Sequence, residues 1–417
     1  MRQTRRTASR ALGTPVPEII GGAGPQAGRI GRVTFPERAA EIDLDALRHN
    51  VRQVRDVAHP ARIMAVVKAD AYGHGALPVA RAALEAGAAW LGVAHVSEGV
   101  ALRKAGIEAP ILAWLHTAGT DFTAGVEHGL DLGISGWELD HVVASARELE
   151  RPAIVHLKID TGLGRNGCPP DKWEALLSRA VEYQEEGLIR VVGIFSHLAV
   201  ADEPARPETD AQVQAFREAV AAAENAGIDV EVRHLANTPA TFSRPDCHFD
   251  LVRVGLGIYG LSPFSDQGSA DLGLKPVMTL STIVSSCKEV PAGHGVSYGY
   301  THRTAKPTTL GLIPVGYGDG VPRIATGAPV LVNGRMYPVI GRIAMDQLVI
   351  DFGTTGLADS PDSPLGARAV LFGGVGAPAV EDWAAAAQTI NYEVVTRISD
   401  RVERVYLNVV QENHGGA

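Results

Sequence analysis

The sequence predicts an α/β protein, with an N-terminal (β/α)8 TIM barrel followed by a mostly β C-terminal domain. Eight short apolar runs alternate with helical segments in the earlier part of the chain. Polar residues lie directly after many of these runs, and a stretch rich in Val, Thr and Gly without this alternation follows. Apolar strands that alternate with helices are typical of a parallel sheet covered by helices, and eight such units match a closed barrel.

Three segments are predicted from this pattern. Residues 1–38 carry seven arginines and no apolar periodicity, so they are expected to be a flexible leader outside the fold. Residues 39–273 are predicted to form the barrel. Residues 274–417 are predicted to form the β domain.

The barrel is expected to open with a helix, because Leu44, Leu47, Val51 and Val54 recur at helical spacing behind Asp43, a residue type that caps helices. The eight strands are predicted at 63–67, 90–94, 111–115, 130–134, 154–159, 191–195, 230–235 and 251–256. Glycines that could adopt a left-handed helix cap precede several of these strands, at Gly87, Gly106, Gly129, Gly187 and Gly227.

The β domain is indicated by turn signals between short Val-rich runs. Asn333-Gly334 separates two such runs and predicts a hairpin. One helix is expected near Val380–Thr389, and a last strand through Val402–Leu407.

Polar residues at the strand ends bear on the choice between a barrel and its alternative, an open doubly wound sheet. They are Lys68, His95, Lys158, Asp160, Ser196, His197, His234, Asn237 and Arg253. In a barrel all of these ends converge on one mouth, whereas an open sheet binds its ligand at one crevice. The distribution favours the barrel.

The composition excludes several partners and compartments. A net charge of −9, from 38 basic and 47 acidic residues, argues against nucleic acid or an anionic membrane as the main partner. Three cysteines without a C-x-x-C pair predict a reducing, cytoplasmic setting. No apolar run approaches the roughly 20 residues that span a bilayer. The fourteen histidines lack a His-Glu-x-x-His spacing, so no metal is predicted.

Lys68 is the first candidate for chemistry, because it follows an apolar strand directly. Desolvation at such a position lowers the pKa of a lysine and favours a nucleophilic amine that forms a Schiff base. The alternatives are a side chain that extends to solvent and an ion pair with Asp70. The crowding of Tyr72 and His74 just behind Lys68 favours the Schiff base.

Two further stretches carry candidate site residues. The backbone N–H groups of Gly255 and Leu256 could cradle a phosphate, although Gly-x-Gly also occurs in ordinary tight turns. Arg253 beside them is a site candidate or a member of a core ion pair. Lys158 and Arg165 would repel each other when buried unless an anion lies between them, and a salt-bridge cluster at the barrel rim is the alternative.

Nine motifs occur in order between Ala40 and Leu407: 67–75 (VKADAYGHG), 158–165 (KIDTGLGR), 195–199 (FSHLA), 234–239 (HLANTP), 253–260 (RVGLGIYG), 295–299 (GVSYG), 314–320 (PVGYGDG), 341–347 (GRIAMDQ) and 390–394 (INYEV). Together they resemble the alanine racemase family, and nine ordered matches are far less expected by chance than any one of them.

The resemblance implies a pyridoxal 5′-phosphate enzyme, a homodimer, that interconverts L-alanine and D-alanine and supplies D-alanine for peptidoglycan. Lys68 would bind the cofactor as an internal aldimine and exchange a proton with Cα on one face. Tyr298 of the partner subunit would act on the other face, since racemisation needs one acid/base group on each. Arg253 would meet the ring nitrogen and keep it unprotonated, because a guanidinium cannot accept a proton.

The resemblance also implies roles for the other candidates. The remaining cofactor-binding residues would be Tyr72, His197, Asn237, Thr238, Gly255, Leu256 and Tyr392. Arg165 and the partner's Met345 would bind the substrate carboxylate. Lys158 matches a lysine that is carbamylated in many members and would then orient Arg165. His234, Tyr317 and Asp346 would lie in the surrounding layer or at the entrance.

Two other functions stay open. A non-catalytic, single-barrel protein that binds pyridoxal phosphate would lack the β domain that carries Tyr298. A lyase or decarboxylase of the same fold would carry a carboxylate in place of Arg253. The presence of both residues favours the racemase.

Overall fold

The computed structural model describes residues 36–409, so most of the predicted leader lies outside the described residues. The strands are β1 Arg38–Asp43, β2 Arg62–Val66, β3 Trp90–Val93, β4 Ile111–Ala113, β5 Asp131–Ile134, β6 Ala153–Lys158, β7 Ile189–Phe195, β8 Val232–His234, β9 Leu251–Val254, β10 Met278–Ile283, β11 Ser286–Val290, β12 Gly295–Val296, β13 His302–Arg303, β14 Thr308–Ile313, β15 Pro329–Val332, β16 Arg335–Ile340, β17 Leu348–Asp351, β18 Arg368–Phe372 and β19 Glu403–Leu407.

The helical segments are α1 Leu44–Ala58, α2 Lys68–Gly73, α3 Ala76–Glu85, α4 Val96–Lys104, α5 Phe122–Glu127, α6 Glu138–Glu148, α7 Trp173–Glu185, α8 Glu208–Asn225, α9 Thr238–Ser243, α10 Val380–Ala386 and α11 Asn391–Thr396. The predicted cap of α1 is confirmed, because the Asp43 carboxylate accepts hydrogen bonds from the amides of Asp45 and Ala46. The five predicted cap glycines each follow a helix and have φ between +62° and +107°.

Strands β2 to β9 form one parallel sheet in the order β8-β7-β6-β5-β4-β3-β2-β9. The two ends of this sheet approach each other, since Asp250 N donates to Arg233 O (3.1 Å) and Arg253 N donates to Ala236 O (3.0 Å). The sheet is therefore a nearly closed barrel with helices around it. The predicted fold is confirmed, and each of its eight strands overlaps one of the apolar runs.

The C-terminal domain is built on a nine-stranded sheet in the order β11-β14-β17-β16-β15-β18-β10-β1-β19. The predicted hairpin is present, with Asn333 and Gly334 in its turn at φ +47° and +75°. Strand β1 lies in this sheet between β10 and β19. Residues 39–43, which the sequence places in the barrel, thus form a strand of the second domain.

The helix expected near Val380–Thr389 is present as α10, and a second helix that was not predicted, α11, follows it. The chain turns between them at Gln388, which has a φ of +54°. Helix α11 packs against α2 at the barrel mouth, where a Cβ on Gly73 would lie 2.7 Å from Val395 O. The unpredicted second helix therefore brings residues of the β domain to the barrel.

The barrel interior contains both apolar and polar side chains. Its apolar part is a small cluster formed by Met64, Trp90, Leu112, Val192, Val232 and Leu251. Its polar part includes Asp131, His156 and His234, none of which is more than 4% exposed. Among residues 36–409, no helix is long and apolar enough to cross a membrane.

Candidate active site

Lys68 lies directly after β2, where the chain leaves the barrel at its C-terminal end. The next four residues, Ala69 to Tyr72, have φ between +51° and +54°, a left-handed turn that residues other than glycine rarely adopt. Each left-handed residue costs roughly 1–2 kcal/mol, so contacts around the turn must hold it. No feature of the sequence indicates this conformation.

Two carboxylates hold the left-handed turn. Glu98 on α4 accepts from Ala69 N (2.7 Å) through one oxygen and from His95 N (2.9 Å) through the other. Asp70 accepts from Ala76 N (2.7 Å), the first residue of α3. The backbone that presents Lys68 is therefore fixed from both sides, and Asp70 is engaged with backbone rather than with the Lys68 amine.

Arg253 is buried at the end of β9. One terminal nitrogen of its guanidinium donates to His234 O (2.7 Å) and to His234 Nδ1 (3.2 Å). The other donates to Ser196 O (2.6 Å), Leu235 O (3.1 Å) and His197 Nδ1 (3.4 Å). Burial, followed by repulsion from Arg253, lowers the pKa of both His234 and His197 well below the ordinary range. Both rings are thus neutral acceptors.

Positive charge accumulates at the barrel mouth. Burial, followed by repulsion from Arg165, lowers the pKa of Lys68. Burial, followed by repulsion from Arg253 and Arg165, lowers the pKa of Lys158 to about 8. Burial lowers the pKa of Arg253 to about 9, still above neutral pH. Four basic side chains thus act on the same region, and an anionic ligand would relieve their repulsion.

Gly255 and Leu256 follow β9, with Leu256 opening a short 3-10 turn, Leu256–Tyr259. Gly255 N donates to Thr238 Oγ1 (3.2 Å). A Cβ on Gly255 would overlap the hydroxyl oxygen of Tyr72. The predicted phosphate cradle and the Tyr72 side chain are therefore adjacent, and only a glycine leaves room between them.

Tyr392 and Asn237 complete this side of the mouth. The ring of Tyr392, on α11, lies 6.2 Å from the ring of Tyr72. Burial raises the pKa of Tyr392 to about 12 and also raises that of Tyr72, so both phenols keep their protons and can donate. Asn237 caps α9 by accepting from Ala240 N (3.2 Å).

Tyr298, Tyr317, Met345 and Asp346 form a second group, on the β domain. The amide of Tyr317 donates to Ala344 O (3.0 Å), and Asp346 pairs with Arg401 (2.6 Å). Tyr298 is 66% exposed and Met345 is 52% exposed. Within the described part of one chain, no hydrogen bond or ion pair joins this group to the residues of the barrel mouth.

The sequence analysis missed Glu98, Asp131 and His156. Asp131 and His156 lie inside apolar barrel strands, and a polar residue in such a strand is a signal that could have identified both. Glu98 lies in the first turn of α4, where an acidic residue is unremarkable. In the described range, no group of three or more His, Cys, Asp or Glu side chains is placed to bind a metal ion.

Comparison with known proteins matches the chain to two family models, the alanine racemase N-terminal domain over residues 42–263 and the alanine racemase C-terminal domain over residues 277–406. An alanine racemase of Streptomyces coelicolor is 54% identical over 379 residues, which cover 88% of this chain and 95% of the relative. An alanine racemase of Thermobifida fusca is 50% identical over 376 residues, which cover 89% of this chain and 98% of the relative. The crystal structure of alanine racemase from Streptomyces lavendulae superposes with a TM-score of 0.86 at 52% identity, and covers 89% of this chain and 98% of that one. The chain belongs to the alanine racemase family.

Proposed function

We propose that this enzyme interconverts L-alanine and D-alanine, with pyridoxal 5′-phosphate held at the barrel mouth. The observation that carries the proposal is the placement of a desolvated lysine, Lys68, among basic side chains at the end of a barrel strand. The names of the relatives support alanine as the substrate. The reaction is proposed to take place in the cytoplasm and to supply D-alanine for peptidoglycan.

The residues at the mouth fit the proposed cofactor. Gly255 leaves space that a Cβ would fill, and its neighbours Thr238 and Tyr72 carry hydroxyl groups. With the backbone N–H of Leu256, the Tyr392 phenol and Asn237, they would hold the phosphate. Charge-assisted hydrogen bonds from such donors are typical of phosphate sites. The basic side chains nearby would balance the negative charge of the ligand.

Arg253 would face the ring nitrogen, with His197 beside the ring and His234 behind the guanidinium. When bound, pyridoxal phosphate supplies an electron sink that makes the Cα–H bond of an amino acid acidic. Arg253 stays charged and has no lone pair to accept a proton. It would therefore keep the ring nitrogen unprotonated and limit side reactions such as transamination, which distinguishes this site from one with a carboxylate there.

Lys68 and Tyr298 would hold and move the protons. Burial and repulsion from Arg165 lower the pKa of Lys68, which favours the neutral amine that a base requires. Tyr298 of the partner subunit would act on the opposite face of Cα. Protonation by one group after removal by the other inverts the configuration.

Arg165 would bind the substrate carboxylate, together with the partner's Met345. Lys158 would be carbamylated, because a buried amine between two arginines is better accommodated as an anion that orients Arg165. Tyr317 would line the entrance, and Asp346 would support it through its contact with Arg401.

A homodimer would bring the two residue groups together. Tyr298, Tyr300, Met345 and Ile390 are between 52% and 66% exposed, and large apolar side chains at that exposure are typical of an interaction surface. A second copy of the chain would cover this surface and contribute its Tyr298 to the barrel mouth. The site of one chain would then be incomplete without its partner.

Incubation of the purified protein with L-alanine in heavy water tests the activity. We expect D-alanine to accumulate and deuterium to appear at Cα. The absence of both products, with pyridoxal phosphate added, would reject the proposal. Carbon dioxide or ammonia as the main product would instead indicate a decarboxylase or lyase.

Mixing two inactive variants tests the shared site. Lys68→Ala and Tyr298→Phe chains each form homodimers in which both sites lack one group. A mixed dimer has one site with both groups intact, so activity should return when the variants are unfolded together and refolded. Activity that stays at the level of the separate variants would argue that both groups come from one chain.

A further inference from the structure

A column of polar side chains crosses the barrel interior from Asp131, at the start of β5, to Arg253, at the end of β9. Arg253 donates to His234 Nδ1 (3.2 Å), and His234 Nε2 lies 2.9 Å from His156 Nδ1. His156 Nε2 lies 3.5 Å from the Asp131 carboxylate without hydrogen-bond geometry, and this buried nitrogen has no hydrogen-bond partner among the described residues. Barrels of this type are usually filled by branched apolar side chains, and buried polar groups destabilise a core unless they are paired.

Arg253 determines the direction of the two hydrogen bonds within the column. A guanidinium can only donate and a carboxylate can only accept. Because Arg253 donates to Nδ1 of His234, that ring carries its proton on Nε2 and donates to His156. His156 therefore carries its proton on Nε2, the nitrogen that lies 3.5 Å from the Asp131 carboxylate. The column is a one-way chain of donors through two neutral imidazoles.

Arg253 has no carboxylate of its own. In the described residues its guanidinium donates only to carbonyl oxygens and imidazole nitrogens. Asp131 is 4% exposed and accepts a hydrogen bond from Trp90 Nε1 (2.8 Å). Arg103 also lies near Asp131, but its guanidinium donates to backbone carbonyls such as Ala109 O (3.0 Å). The column thus links two buried opposite charges.

The backbone leaves room for the column. Gly193, on β7, faces His156, and a Cβ at this position would lie 2.5 Å from His156 Nδ1 and 2.7 Å from Val232 O. Any larger residue would push the imidazole away from His234. The barrel is therefore built to accommodate His156 in this position.

We propose that Asp131 is a positioning residue for Arg253 and acts through His156 and His234. The Asp131 carboxylate favours the His156 tautomer that carries its proton on Nε2. His156 Nδ1 then accepts from His234 Nε2, which leaves His234 Nδ1 free to accept from one terminal nitrogen of the guanidinium. The proposal rests on the proposed function only for the identity of the group that Arg253 faces, the ring nitrogen of pyridoxal phosphate.

Asp131→Asn tests the proposal, with Trp90→Phe as the matched control. The asparagine keeps the shape but removes the charge, whereas the phenylalanine removes only the Trp90 hydrogen bond to the same oxygen. The readout in the holoenzyme is the number of transamination events per racemisation, measured as pyruvate formed per D-alanine formed. A loosened Arg253 would let the ring nitrogen take up a proton, which favours transamination.

We expect Asp131→Asn to raise this ratio about tenfold, the size of effect typical of residues that orient a site through another. Trp90→Phe should lower the melting temperature and leave the ratio unchanged. His156→Phe should match Asp131→Asn, and the double variant should show no further change, because both interrupt one chain. If Asp131→Asn and Trp90→Phe form the same amount of pyruvate per D-alanine, Asp131 has only a structural role.

Nitrogen-15 NMR of histidine-labelled protein gives a second test that needs no activity. His156→Gln and His234→Gln variants assign the two rings. Both rings should be neutral with the proton on Nε2. A proton on Nδ1 of either ring, or a doubly protonated ring, would contradict the proposed hydrogen-bond directions from Arg253 through His234 to His156. This result would hold whether or not the protein racemises alanine. A correct tautomer in a protein without racemase activity would instead count against the proposed function alone.

Discussion

The carboxylate of Glu98 accepts a 2.7 Å hydrogen bond from the amide of Ala69, the first residue of the left-handed turn behind Lys68. Its second oxygen accepts from the amide of His95, so one side chain connects the ends of two barrel strands. A hydrogen bond to a charged acceptor contributes roughly 1.5–3 kcal/mol, the order of the strain in one or two left-handed residues. Glu98 thus stabilises the conformation that presents Lys68.

Glu98→Ala should lower the free energy of unfolding by about 2 kcal/mol, because it leaves these amides without their acceptor. Glu98→Gln keeps one acceptor oxygen and should cost less. The charge of Glu98 raises the pKa of Lys68, so both variants should lower that pKa further. Urea unfolding measures the stability. The pH dependence of pyridoxal phosphate uptake by the apoenzyme reports the pKa of Lys68. An unchanged pH profile in both variants would contradict the claim that the charge of Glu98 raises this pKa.

Lys158→Met should stabilise the protein in buffer free of carbon dioxide. The pKa of Lys158 is lowered from 10.5 to about 8, so at neutral pH the folded state holds a buried ammonium that the unfolded chain solvates. The shift corresponds to roughly 3 kcal/mol. The unfolded chain binds more protons between pH 8 and 10.5, so the stability of the wild type rises with pH across this window.

The advantage of Lys158→Met should therefore be largest below pH 8 and should disappear near pH 10.5. Urea unfolding of both proteins at several pH values measures it. Lys172→Met, on the exposed surface, is the matched control and should show no such trend. A constant difference between wild type and Lys158→Met across the window would show that the Lys158 ammonium is not destabilised by burial.

If Lys158 is carbamylated, carbon dioxide should remove the destabilisation that the buried Lys158 ammonium causes. The neutral amine adds to carbon dioxide, an N–C bond forms, and one proton leaves, so the side chain becomes an anion beside Arg165 and Arg253. Carbon-13 NMR with labelled bicarbonate should show a carbamate signal that Lys158→Met abolishes. The melting temperature of the wild type should rise with bicarbonate, and that of the variant should not. A carbamate signal that survives in Lys158→Met would assign the modification elsewhere.

The fold could be predicted because the barrel strands are mostly apolar and five of the barrel helices are followed by a glycine, two patterns that are local in the chain. The left-handed turn after Lys68 could not be predicted. Its residues Ala69 to Tyr72 have no preference for positive φ, and the conformation depends on Glu98, which lies 29 positions from Ala69 in the sequence. The second C-terminal helix was also missed, since Gln388 gives no sign of its left-handed conformation.

The candidate site, like the fold, could be predicted from the sequence only in part. Lys68, Lys158, Arg165 and Arg253 were identified because charged residues after apolar strands are conspicuous. The polar column behind Arg253 was not identified. The sequence does not show which residues of other strands a histidine will face across the barrel interior. The link from Asp131 to Arg253 exists only once the closed barrel brings β5, β6, β8 and β9 around one interior.

Gly255→Ala is the sharpest test of the phosphate cradle. The φ of Gly255 is −101°, so the substitution does not introduce the strain of a side chain at positive φ. The added methyl group would overlap the Tyr72 hydroxyl and displace a side chain that the proposed site uses. Equilibrium dialysis should show affinity for pyridoxal phosphate reduced by about tenfold to a hundredfold, since one or two hydrogen bonds to a charged group are lost.

Gly106→Ala is the matched control for that experiment. Gly106 has a φ of +89°, and a Cβ there would meet nothing within 4 Å. The substitution should cost about 1 kcal/mol through backbone strain alone and leave cofactor affinity unchanged. Comparable loss of affinity in both variants would mean that lowered stability, not the cradle, is responsible. Both substitutions add the same methyl group, but only the one at Gly255 would meet the Tyr72 side chain. A loss of cofactor affinity in Gly255→Ala alone would therefore locate the phosphate at the turn after β9.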